Sequence, residues 1–223
     1  LSPNTGTIHA ITTNVTDTFT YRVTDAAGNT STNTVTFTFT PVNTAPVNTV
    51  PLTTQTLNED ATQVISGLSM ADVDANGGNE TVTLAVAHGT ITVAAGAGVT
   101  LGTNGTGSVS LSGTVSAINT LLATANAVTY APTANYNGSA TLTMLTSDGS
   151  LSDSDNVAFN VTPVNDAPVA SDLTVTTLED NSVTINLVAA EANNTPATLQ
   201  FVIQNQPMNG TLMANADGSL ATS

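Results

Sequence analysis

The sequence predicts an all-β chain: antiparallel β-sandwiches in series, interrupted by one short helix. Two observations carry that expectation. Apolar residues alternate with threonine over many short runs, and a Pro-containing phrase occurs twice. In VTDTFTYRV (15–23), Phe19, Tyr21 and Val23 fall on one face and Thr18, Thr20 and Arg22 on the other. TVTFTFT (34–40) repeats the pattern with Val35, Phe37 and Phe39. A period of two with β-branched partners marks a half-buried antiparallel strand, one face on the core and one in water. Comparable runs are 81–87, 90–94, 139–145, 156–162, 182–188 and 199–203. Asn137-Gly138, Asp148-Gly149, Asn209-Gly210 and Asp217-Gly218 punctuate them as tight turns. Short strands at this spacing read as a sandwich.

One segment breaks the alternation. SGTVSAINTLLATAN places Val115, Ile118, Leu121 and Leu122 at helical spacing, with Thr114 or Ser116 positioned to cap. A helix over about 116–123, closing one end of a sandwich, follows.

TPVNTAPVN (40–48) and TPVNDAPVA (162–170) lie 122 residues apart, and other segments keep the same order around them. TLNEDATQVI (56–65) matches TLEDNSVTI (177–185), and AVAHGTITVAA (85–95) matches NQPMNGTLMAN (205–215). TFTYRVTDAAG (18–28) matches TLTMLTSDGS (141–150), and TVTFTFTPVN (34–43) matches NVAFNVTPVN (156–165). The order predicts a C-terminal half-repeat at 1–43, a complete repeat at 44–165 and an N-terminal half-repeat at 166–223, complementary to the first. Each half is expected to leave apolar strand faces and backbone edges unsatisfied until its complement is supplied.

Composition narrows the function classes. The 223 residues suit about two domains. Cysteine is absent, so no disulfides brace the fold. Arg22 is the sole basic residue against 16 acidic ones, for a formal charge of −15. Without lysine there is no P-loop, no Schiff base and no Lys–Asn isopeptide cross-link. The charge argues against nucleic acid or an anionic membrane as partner and for divalent cations or solubility. No run of about 18 apolar residues is present to insert in a membrane. The start, LSPNTGTIHA, has neither a charged lead nor an apolar stretch, and there is no initiator Met; a piece of a longer protein is expected.

The PVNDAP linker, the N-E-D near a repeat start, the D-x-D of MADVDANGG and a strand ending in SDG recur in one order. In this combination the chain resembles the bacterial cadherin-like, Ig-like tandem repeats of giant RTX-type adhesins and related surface proteins. The resemblance implies Ig-like or cadherin-like sandwiches with Ca2+ between them, and a role in cell adhesion outside a Gram-negative bacterium. Partners would be neighbouring repeats or homotypic copies. Calcium takes carboxylate, amide and backbone oxygens, and the acids cluster beside strand ends or linkers. For the junction after the complete repeat the candidates are Glu59, Asp60, Asp148, Asn165 and Asp166, with Glu191 from beyond. For the earlier junction they are Asp25, Asn43, Asp72 and Asp74, with Glu179 and Asp180 if the halves combine. Asp166 stands where the earlier linker has Thr44, and AAEANNT keeps only Glu191 where DVDANGG has Asp72 and Asp74. Unequal calcium affinity at the two junctions is expected.

The leading expectation is a calcium-stiffened stalk or fibre. An alternative is a subunit of an extracellular filament joined by strand or half-domain complementation. A third, a carbohydrate- or ice-binding module, rests on ordered threonines such as Thr34, Thr36, Thr38 and Thr40. Threonine is also simply a good solvent-facing strand residue. Catalysis is not expected: there is no HExxH, no GxSxG and no Cys nucleophile, and His9 and His88 read as loop or turn residues.

Overall fold

The computed structural model describes residues 13–192, 199–214 and 220–222. The N-terminal run of alternating residues forms a hairpin, β1 (Val15–Thr24) and β2 (Thr30–Phe39). Val15 faces Phe39, Phe19 faces Val35, and the threonine face aligns Thr16 with Thr38, Thr18 with Thr36 and Thr20 with Thr34.

Residues 47–162 supply the core. Its strands are β3 (Val47–Thr49), β4 (Gln55–Asn58), β5 (Gln63–Ile65), β6 (Ser69–Ala71), β7 (Asn79–Val86) and β8 (Gly89–Val93). After β9 (Val99–Leu101) and β10 (Ser108–Thr114) comes helix α1 (Val115–Leu122), followed by β11 (Val128–Pro132), β12 (Gly138–Ser147) and β13 (Ser152–Thr162). One sheet runs β4-β13-β12-β7-β10-β9 and faces a second, β5-β11-β8, while β3 pairs with β6. The alternation pays off here: Val82, Leu84, Leu111, Leu142, Met144 and Val157 point inward from the large sheet and are fully buried. Ile91, Val93, Val128 and Tyr130 meet them from the other. The Tyr130 and Phe159 rings stand 4.7 Å apart between the two sheets. The pairing of β4 with β13 is parallel, a departure from the antiparallel expectation. It places Asn58 beside Thr162, so the two strands leave by the same pole.

Helix α1 starts one residue earlier than its spacing suggested. The Thr114 hydroxyl accepts from the Ala117 N–H at 3.2 Å, a side-chain N-cap. Ile118, Leu121 and Leu122 go into the core, and Asn119 ties the helix to β6 by bonding both the N–H and the C=O of Met70. His88 is a turn residue: its carbonyl accepts from the Tyr130 hydroxyl at 2.6 Å and its ring stacks on Tyr136. Gly89 follows because its φ is +142° and a Cβ there would stand 2.2 Å from the Ala131 oxygen.

Beyond residue 165 the described elements are β14 (Val169–Ala170), β15 (Val183–Ile185), β16 (Ala189–Ala190), β17 (Leu212–Ala214) and β18 (Leu220–Thr222). The strand expected over 182–188 shortens to β15, and 199–203 forms none. That second run corresponds to β7, an interior strand held by β10 and β12 on either side. Among the described residues no strand flanks Phe201, Val202 and Ile203, and they are exposed. Alternation without neighbours does not make a strand. Asp217-Gly218 and His9 lie outside the described residues.

Candidate metal centres at the two poles

Strand direction decides which acids can meet. β12 and β13 form a hairpin whose turn, at Asp148, is paired off by Ser147 against Ser152, while Gly138 and Val161 close the other end. Asp148 therefore lies at the pole opposite Asn165. At that pole the incoming linker is held: Asn43 Nδ2 donates to Asp148 Oδ2 at 2.7 Å, and the Thr44 N–H and hydroxyl donate to Asp74 at 2.9 and 2.7 Å. Asn48 continues the attachment, its N–H on Asp153 Oδ2 and its side chain bonded to Thr146, Met144 and Asp153. The sequence grouping of Asp148 with Glu59 is thus corrected. A carboxylate at the tip of the last hairpin belongs to the junction before the sandwich.

The same rule moves Asp25. It sits in the β1–β2 turn, at the far end of the hairpin from Asn43. It accepts from the Ala27 and Asn29 N–H groups and from Asn29 Nδ2, and the Asn29 amide is the chief reason its carboxyl titrates below the usual range. Asp25 is a turn former there.

The first pole gathers Asp72, Asp74 and Asp148, and adds Glu80, which sequence reasoning missed. Glu80 takes an inward position in β7, in the register of Val82, Leu84 and Val86, and is 2 % exposed. One of its carboxylate oxygens is buried without a hydrogen-bond partner. Burial raises its pKa, helped by the charges of Asp72, Asp148 and Asp74. Asp72 is also raised, first by burial, although its Oδ1 accepts the Asp74 N–H. Asp74 is lowered, first by the Thr44 hydroxyl, and Asp148 is lowered by the Leu151 N–H and by Asn43. The signal for Glu80 was in the sequence: in NETVTLAV it is an acid on the apolar beat of an alternating strand.

At the opposite pole the parallel β4–β13 pair brings the N-E-D turn to the outgoing linker. The Glu59 N–H donates to Thr162 O, and Glu59 Oε1 accepts the Val164 N–H at 2.5 Å. Glu59 is 2 % exposed and its Oε2 is buried without a partner. Asp60, with φ of +58°, accepts the Asn135 N–H at 3.2 Å. Asn135 in turn lines a shallow cleft with Asp166 and Glu191, and Asn165 Nδ2 donates to the Asp166 carbonyl. Glu179 and Asp180 lie in an exposed turn built like that of Asp60: Asp180 has φ of +60°, and Asn181 N–H bonds Leu178 O as Ala61 N–H bonds Asn58 O. Their described contacts stay within that turn.

Both poles hold only oxygen donors, the set suited to a hard cation such as calcium. Each has a buried carboxylate oxygen that the protein itself leaves without a hydrogen bond, at a cost in free energy unless another group meets it. Among the described residues no three acidic or histidine side chains already converge as a ready-made cage. Among them too, no helix is long and apolar enough to cross a membrane.

No curated protein matches the chain. Among solved structures it is similar to an endo-fucoidan hydrolase from glycoside hydrolase family 107, at 19 % identity and a TM-score of 0.28 over 93 % of this chain. The chain spans 29 % of that protein's length. It is also similar to the titin domains Z1Z2 in complex with telethonin, at 11 % identity and a TM-score of 0.25 over 82 % of each chain. A titin I-band fragment is similar at 10 % identity and a TM-score of 0.26, over 93 % of this chain and 62 % of that one. At family level, residues 165–223 match the bacterial Ig domain.

Proposed function

We propose that this chain is part of an extracellular array of Ig-like sandwiches, a stalk of a bacterial surface adhesin whose junctions are stiffened by calcium. The bacterial Ig match at residues 165–223 supports the structural, surface-exposed class. Secretion by a Gram-negative bacterium and adhesion are part of the same reading. The observation that carries the calcium is Glu80: a buried carboxylate with an orphaned oxygen, close enough to Asp72, Asp74 and Asp148 to feel their charges.

Calcium, when bound, supplies a divalent charge that accepts about six to eight oxygen ligands. At the first pole Asp72, Asp74, Glu80 and Asp148 would hold it, beside Asn43 and Thr44 of the linker. At the second, Glu59, Asp60, Asn165, Asp166 and Glu191 would do so. Neutralised, these carboxylates stop repelling one another, and each linker stays attached to its sandwich in one orientation. The reading is non-catalytic, and His88 is committed to packing on Tyr136.

Thermal unfolding in millimolar calcium, in EDTA and in magnesium tests it. Calcium at a hundredfold its Kd adds about 2.7 kcal/mol to the state that binds it. A calcium-specific rise in unfolding temperature, diminished in Glu80→Gln, is expected. Superimposable curves in calcium and EDTA would overturn the calcium reading and leave a plain spacer.

A further inference from the structure

We propose that Asn76 is a site of spontaneous deamidation, a slow modification that adds a carboxylate to the first pole of the central sandwich. That sandwich holds three Asn-Gly pairs: Asn76-Gly77, Asn104-Gly105 and Asn137-Gly138. Glycine has no side chain to keep its own nitrogen away from the amide that precedes it. The Gly77 nitrogen attacks Asn76 Cγ, and the new N–Cγ bond closes a cyclic imide. The Cγ–Nδ2 bond breaks, and the amide nitrogen leaves as ammonia with the proton lost by Gly77. Water, the sole co-reactant, then opens the imide at either carbonyl and leaves an aspartyl or an isoaspartyl carboxylate.

The three pairs are held differently. Asn104 is pinned: its Oδ1 accepts the N–H groups of Val93 at 2.8 Å and Gly105 at 3.0 Å, and its Nδ2 donates to the Val93 carbonyl at 2.7 Å. The Gly105 N–H, which would have to attack, also donates to Ile91 O at 3.0 Å. Asn137 makes a contact of its own, and Gly138 is paired with Val161 in the β12–β13 ladder. Asn76 and Gly77 instead form the centre of a tight turn, with φ of +47° and +77°. It is closed by one bond, from the Gly78 N–H to Ala75 O at 2.7 Å. Among the described residues neither the Asn76 amide nor the Gly77 N–H is hydrogen-bonded, and a Cβ built on Gly77 would meet nothing within 4 Å. Opening that one bond lets the pair rotate until the nitrogen faces Cγ, whereas Asn104 has several to break.

The place of the turn gives the event its consequence. Asn76 and Gly77 line the same cleft as Asp72, at the pole where Asp148 and Asp74 hold the incoming linker. Each event adds one negative charge beside those acids, and the isoaspartyl product also lengthens the main chain of the turn by a methylene. The charge at this pole therefore grows with the age of the chain. In the following repeat the matching stretch, AAEANNT, has Asn194 where Gly77 stands, so of the two junctions this one carries the reactive pair. Any gain in calcium affinity from the added acid depends on the calcium-stiffened stalk, whereas the rate ranking, measured in EDTA, does not.

Peptide mapping by mass spectrometry tests the ranking, on the 223-residue chain aged for weeks in EDTA at mildly alkaline pH. Each Asn-Gly pair is read separately by the mass gained when amide becomes acid. Asn76 is expected to convert at least about tenfold faster than Asn104 and Asn137. In concentrated urea, where no loop is held, the three rates should converge. Gly77→Ala hinders the attacking nitrogen and should slow the event at Asn76 in both states, so its effect is read even where the variant loosens the turn. An Asn76 that stays intact in the folded chain while it reacts in urea would overturn the proposal. So would an Asn104 that reacts as fast as Asn76 in the folded chain, or a conversion at Asn76 indifferent to Gly77→Ala.

Discussion

The two hairpins β1–β2 and β12–β13 share a sequence pattern and an antiparallel register, and differ in one respect. Phe159 is 2 % exposed and its counterpart Phe37 is 47 % exposed. Both form strands, because alternation with β-branched residues and a tight Asp turn are sufficient for a hairpin. Among the described residues only one faces a core, because burial depends on what lies across from it. The residues opposite Phe159, led by Tyr130, come from strands distant in sequence. Local pattern therefore specifies the element, and covering strands specify its energy.

Substitution should expose that difference at once. Phe159→Ala is expected to destabilise the central sandwich by about 3–5 kcal/mol. In Phe37→Ala the change in the same sandwich should stay within about 0.5 kcal/mol, measured for both by urea unfolding in EDTA at low protein concentration. Similar losses would mean that the first hairpin is already covered in solution.

A second test concerns the acid that breaks the inward rule. Glu80 occupies a position in β7 that its neighbours fill with Val and Leu, so in EDTA Glu80→Gln should stabilise the sandwich by about 1–3 kcal/mol at neutral pH. Its pKa is raised in the folded chain, mainly by burial. Its contribution is therefore fully present below the unfolded carboxylate value and is lost as pH rises through the folded value. Stability in EDTA should fall over that window in wild type and flatten in Glu80→Gln. The lowered Asp74 and Asp148 act in the opposite sense, losing their contribution as pH falls through their folded values. Solvent screening makes them the lesser terms.

A third, smaller effect should come from the helix cap. Thr114→Ala removes the acceptor for the Ala117 N–H and should cost about 1 kcal/mol, read by the same unfolding curves. Smallest of all, Thr36→Ala in β2 and Thr141→Ala in β12 touch only outward faces. Both should fall within about 0.5 kcal/mol. A clear difference between them would show that the outward faces, too, are used unequally.

Much of the architecture was legible because it is local. The alternating runs, the helix around Ile118 and the Asp148-Gly149 turn needed only neighbours in sequence. The site was less legible, since poles are a property of topology. Sequence alone groups Asp148 and Asp25 with the junctions beyond them, because a strand's direction cannot be read from composition and hairpin pairing reverses it. Glu80 is harder to read because it sits alone among apolar residues of its own strand; Asp72 reaches it from the end of β6 and Asp148 from the end of β12. The Thr44 and Asp166 difference also becomes intelligible from contacts. Thr44 donates a hydroxyl to Asp74, where an aspartate would repel it, whereas the second linker carries Asp166 beside a loop with fewer acids.

The parallel pairing of β4 with β13 has a mechanical consequence. If a tether pulls on the two linkers, tension enters beside Asp148 and leaves beyond Thr162. The two neighbouring strands are then drawn past each other along their length. Their register, Gln55 with Phe159 through Asn58 with Thr162, is loaded in shear, so its hydrogen bonds share the force instead of opening one after another. A sandwich strung this way resists extension through four residue pairs and the Glu59 clasp on Val164.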